Sequence, residues 1–75
     1  MQTADVIIHV DETIDHDRRG AIAGMVRAQT GVAEVVNHDE KPHLMIVKYD
    51  PGSVTAQALL AIVRGQGVHA ELVGL

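Results

Sequence analysis

VKYDPGSVTAQALLAIVRGQGVHAELVG, residues 47–74, is the stretch on which the fold turns. Val47–Tyr49 close a β-branched run that opens at His43 (His-Leu-Met-Ile-Val-Lys-Tyr), the pattern of a strand. Asp50-Pro51-Gly52 breaks it, and Ser53 or Thr55 stands where a helix needs its N-terminal cap. Leu59, Ile62, Val63 and Gln66 then recur at helical spacing as a buried stripe, which Gly65 and Gly67 bring to an end. From Val68 to Val73 the period drops to two. Val68, Ala70 and Leu72 share one face, and His69, Glu71 and Val73 the other.

The same grammar extends upstream. Asp5–Asp11 (Asp-Val-Ile-Ile-His-Val-Asp) predicts a first strand with Val6, Ile8 and Val10 inward and Ile7 and His9 outward. The polar stretch Glu12–Asp17 supplies aspartates suited to a helix start, where they cap free N–H groups and favour the positive end of the dipole. Ile22, Met25, Val26 and Gln29 repeat at helical spacing, and Gly31 stops the helix. Val32–His38 reads as a second strand, joined to the third by the turn-rich HDEKPH. The order strand, helix, strand, strand, helix, strand predicts an α+β, ferredoxin-like βαββαβ sandwich: a four-stranded antiparallel sheet, spatial order 4-1-3-2, with two helices on one face. Residues 1–75 are expected to form one domain, with no linker or repeat.

Composition narrows the chemistry. Hydrophobic residues make up 47% of the chain, yet the only aromatic residue of the Phe, Trp and Tyr class is Tyr49, so the core must come from Val, Ile, Leu, Met and Ala. There is no cysteine, which removes disulfides, iron–sulfur clusters, cysteine-type zinc fingers and thiolate nucleophiles. Six basic residues against ten acidic ones leave a net charge of −4, so no basic face offers itself to nucleic acid or to an anionic membrane. Apolar runs fall well short of the roughly 20 residues that span a bilayer. Met1–Val6 shows no charged-then-apolar leader, and the expected location is cytoplasmic. No Gly-x-Ser-x-Gly elbow or phosphate-binding glycine loop is present, and Ser53 fits the helix start better than a nucleophile's role, so an enzyme is not expected.

The chain resembles the heavy-metal-associated domain family of small copper chaperones and metal-pump N-terminal domains. The resemblance rests on VIIHV as first strand, TGV closing the first helix, and residues 47–74 as third strand, Tyr-Asp-Pro turn, second helix and glycine-led fourth strand. Members that carry soft metal have Met-Thr-Cys-x-x-Cys after the first strand. Counted back from Gly31, those two cysteine positions fall on Asp15 and Arg18 within TIDHDR, so thiolate-based Cu(I) transfer does not carry over. A weaker similarity, DRRGAI at residues 17–22, points to the Asp-Arg-Pro-Gly turn of small-molecule-sensing ACT domains, without its proline.

Five histidines stand out. The expected topology gathers His9, His16, His38, His43 and His69 at the end where the first strand finishes, together with Asp15, Asp17, Asp39 and Glu40. Strands about 4.8 Å apart put the second and fourth roughly 14 Å from each other, too far for one ion with bonds near 2.1 Å. His9 and His69 fall on adjacent strands and the same outer face, close to Glu71. His38 and His43 form a second candidate pair across the hairpin. The candidate metal ligands are therefore His9, His69, Asp15, His16 and Asp17, a nitrogen–oxygen set suited to Zn(II), Ni(II), Co(II) or Cu(II). The competing reading is a solvated sheet face and an acidic helix start, and a further one is proton sensing by clustered imidazoles.

The outer sheet face is expected to carry Ile7, Val36, Leu44, Ile46 and Val73, where a sheet covered on one side normally alternates to polar. That patch favours a protein partner or a homo-oligomer, and two copies could complete a site that one cannot. The expected function is a protein-interaction or self-association module that holds a divalent ion or none. A metal carrier or sensor with nitrogen and oxygen ligands is the alternative, and an ACT-like regulatory domain a further one.

Overall fold

Strand β1, Ala4–Val10, is held by strict alternation: Val6, Ile8 and Val10 are buried, while Asp5, Ile7 and His9 face away from the core. The computed structural model describes residues 2–73; Met1, Gly74 and Leu75, the ends of the expected 1–75 unit, lie outside them. Helix α1 spans His16–Arg27, β2 Val32–His38, β3 Lys41–Tyr49, α2 Ala56–Arg64 and β4 Ala70–Val73. The sheet order is β2-β3-β1-β4, the expected 4-1-3-2 read from its other edge, and every neighbouring pair is antiparallel.

The inward residues of all four strands meet the buried stripes of both helices. Ile8, Val47, Val26, Leu59 and Val63 lose all solvent contact. Both helices lie on this side of the sheet, so among the described residues the opposite face has no covering layer. Tyr49, on the inward side of β3, joins the aliphatic core at 9% exposure.

Several boundaries differ from the sequence reading. β3 begins at Lys41 rather than His43, because His38 and Lys41 pair directly across Asp39-Glu40. Pro42 is tolerated there because its missing N–H falls where the β2–β3 register shifts and beyond the last β1–β3 pair, His9 with Leu44. α1 ends at Arg27, short of Gly31; Gly31, at φ 94°, instead turns the chain into β2. The buried stripe of α1 is Arg19, Ile22, Ala23 and Val26, whereas Met25 is 43% exposed. A 100° rotation per residue puts Met25 at the margin of that stripe, while Arg19 is buried. Thr55 caps α2 by accepting the Ala58 N–H at 3.1 Å, while the Ser53 hydroxyl donates to Asp50.

Candidate metal centre

The end of β1, the β2–β3 hairpin, the start of α1 and the start of β4 share one rim of the sheet, because β1 runs antiparallel to both of its neighbours. All five histidines sit on these segments. The rings of His9, His16, His43 and His69 have different hydrogen-bond partners.

The His9 ring lies between two carboxylates. Its Nδ1 is 3.0 Å from Glu71 Oε1 and 3.2 Å from Asp11 Oδ1. Pairing of β1 with β4 sets Glu71 directly opposite His9, and Asp11 follows two residues later along the chain. These three residues offer one ligand atom each within 4.8 Å of one another, the only group of three or more potential metal ligands that meets this spacing among the described residues. Ligands about 2.1 Å from a common ion lie roughly 3.0–3.4 Å apart, so the His9–Glu71 and His9–Asp11 separations match a shared cation as well as hydrogen bonds. His43 stacks on the His9 ring at a centroid distance of 5.8 Å. His43 Nδ1 donates to the Val10 carbonyl at 2.8 Å. Asp11 and Glu71, with His69 and Arg64, line an open depression of about 470 Å³ beside the cluster.

The other expected ligands have different company. His69 donates from Nδ1 to Glu12 Oε2 at 2.7 Å, and its backbone N–H reaches the same carboxylate at 2.8 Å. Asp15 caps α1 by accepting the Arg18 N–H at 2.8 Å, and Asp17 lies in the first turn beside the positive dipole end. His16 Nδ1 is 3.0 Å from Asp39 Oδ1, the oxygen that also receives buried Arg19. Arg19 further donates to the Ile14 carbonyl and so ties the loop before α1 to the hairpin. His9 is therefore the only one of the five in the three-residue group, and Asp11 and Glu71 take the places beside it. The i, i+2 spacing of His9 and Asp11 was a readable signal for one of them. Glu71 needed the strand register, which slides His69 one pair past the end of the ladder.

Hydrogen bonding to Asp39 raises the His16 pKa above its ordinary value, and the same bond lowers that of Asp39. Glu12 likewise raises His69 and is itself lowered. A raised imidazole contributes stability below its unfolded pKa, about 6.5, and that contribution disappears as pH climbs through the folded value. A lowered carboxylate contributes above its unfolded pKa, about 4, and loses this as pH falls through the folded value. The His16–Asp39 pair thus helps most between about pH 4 and 6.5. The melting-temperature difference between the wild type and His16→Ala is expected to peak inside that window and to shrink as pH rises above it, in a thermal series at constant ionic strength. A difference that grows above pH 7 contradicts the pairing.

The fold has well-matched solved counterparts. No family model and no curated protein sequence matches the chain. Among solved structures, oxidised MerP from Ralstonia metallidurans CH34 superposes with a TM-score of 0.85 at 16% identity, over 97% of this chain and 100% of that one. A copper binding domain from HMA7, a P-type ATPase, gives 0.82 at 14% identity, over 93% of each chain. The yeast copper transporter domain CCC2A, solved in apo and Cu(I)-loaded states, gives 0.80 at 25% identity, over 92% of this chain and 93% of that one. The chain has the heavy-metal-associated fold. It carries that fold without the Cys-x-x-Cys pair, since it contains no cysteine. In this version of the heavy-metal-associated fold, the helix start after β1 holds Asp15 as a cap and His16 beside Asp39. No helix among the described residues is long and apolar enough to cross a membrane.

Proposed function

We propose that this chain is a heavy-metal-associated module that holds a divalent ion through nitrogen and oxygen ligands and meets a protein partner across its open sheet face. The observation that carries the metal reading is the His9 Nδ1 flanked at 3.0 and 3.2 Å by Glu71 and Asp11. The fold neighbours support it, since the HMA7 domain is described as copper binding and the CCC2A domain as loaded with Cu(I). Soft Cu(I) prefers sulfur ligands, whereas imidazole with two carboxylates suits Zn(II), Ni(II), Co(II) or Cu(II). The ion needs an unprotonated Nδ1 and ionised carboxylates, so binding weakens in acid. Three protein ligands leave at least one coordination position free, which favours a carrier that passes its ion on over a closed structural site. The cytoplasmic setting expected from the sequence belongs to the same proposal.

Titration of the metal-free chain with each of the four ions, followed by calorimetry and histidine-ring NMR, tests this reading. We expect saturable 1:1 binding with the first shifts at His9, and at least a tenfold loss in His9→Ala and Glu71→Gln. His16→Ala retains binding. No saturation by any of the four ions, or shifts centred on His16 or His69 with His9 unmoved, overturns the assignment.

A further inference from the structure

The register of the sheet arranges the uncovered face into three transverse rows. Val36, Ile46, Ile7 and Val73 are consecutive cross-strand partners from β2 to β4, so four β-branched aliphatics form one continuous row across the whole sheet. Ile46 and Val73 are 40% and 39% exposed, and Ile7 and Val36 half-buried. Glu34, Lys48 and Asp5 form the row on one side of it, and Leu44, His9 and Glu71 the row on the other. Lys48 makes no ion pair among the described residues, although it stands between two carboxylate-bearing positions.

We propose that this face binds a second copy of the chain, about a two-fold axis parallel to the strands and passing between β1 and β3. This rests on the partner-binding half of the function proposed above and names the partner. Rotation about that axis lays β1 over the partner's β3 and β4 over the partner's β2. Ile7 then meets the partner's Ile46, and Val73 meets the partner's Val36, so the aliphatic row closes on itself. Lys48 meets the partner's Asp5, and symmetry repeats this contact. The aliphatic row and the Lys48–Asp5 contacts are self-complementary under this axis, as an isologous interface requires. A two-fold axis across the strands would instead set Lys48 over the partner's Leu44 and leave its charge unanswered. Sheets packed this way lie about 10 Å apart at a small angle. The axis also brings the His9 groups of both copies to the same end of the pair.

Strands of four to nine residues about 4.8 Å apart cover roughly 400 Å² of plane per copy, or about 800 Å² in all, below the roughly 1,000 Å² of a stable interface, so the dimer is a weak one. Analytical ultracentrifugation of the full chain from about 10 µM to 1 mM tests it. The expected result is a monomer–dimer equilibrium with Kd of about 10–500 µM. Lys48→Asp and Asp5→Lys alone each weaken association tenfold or more, and the double exchange restores it to within about threefold. Ile46→Lys abolishes it. Circular dichroism checks that these exposed substitutions leave the fold intact. A wild-type chain that is monomeric at 1 mM overturns the proposal, and a double exchange that fails to restore pairing overturns the two-fold arrangement. Ion titration of the monomeric Ile46→Lys variant separates the two readings, since binding that persists there upholds the metal site whatever becomes of the dimer.

Discussion

Leu59→Ala is expected to lower stability by about 3 kcal/mol and the melting temperature by about 12–20 °C. Leu59 is completely buried in α2, within the cluster that joins both helices to Ile8 and Val47 of the sheet. Truncation removes the transfer free energy of the lost methyl groups and leaves a void that rigid β-branched neighbours cannot close. A domain of this length has a total stability of about 4–11 kcal/mol, so one such cavity consumes a large part of it. No disulfide offsets the loss. Chemical denaturation monitored by circular dichroism gives the number directly. A loss below about 1 kcal/mol would mean that α2 is not docked on the sheet as described.

Gly31→Ala has the second-largest expected effect, a loss of about 2–4 kcal/mol. Two penalties combine. The residue sits at φ 94°, where an L side chain is strained, and a Cβ there would lie 2.7 Å from the Ser53 Cβ and 3.2 Å from Val54 Cγ1. Moving away is opposed by the Gly31 carbonyl, which accepts the Asp50 N–H at 2.7 Å and locks the α1–β2 corner against the β3–α2 turn. Gly24→Ala is the internal control. Nothing lies within 4 Å of its added Cβ, and a gain of about 0.5–1 kcal/mol from helix propensity is expected. Thermal melts of the two variants should therefore move in opposite directions. Equal shifts would remove the conformational explanation.

Much of the fold was legible because its signals are local. The period of two in Val6, Ile8 and Val10, the Asp50-Pro51-Gly52 break and the stripe of Leu59 and Val63 each depend on neighbours a few residues away. Helix α1 was less legible. Its stripe includes Arg19, whose burial depends on Asp39 of a distant hairpin and on the Ile14 carbonyl. Met25 has the right spacing for burial and the wrong angle once the helix is docked.

The candidate site divides in the same way. Sequence alone determined that sulfur chemistry is absent, that five imidazoles lie on segments of one rim, and that His9 points away from the core. It could not choose among their partners, because imidazole–carboxylate contacts form over 3 Å and a one-residue change of register moves a side chain to the opposite face. Only the tertiary structure decided that Glu71 rather than His69 stands opposite His9, that His69 turns to Glu12, and that His16 turns to Asp39. Strand pairing joins residues 62 positions apart, His9 and Glu71, and that separation carries no periodic trace in the chain.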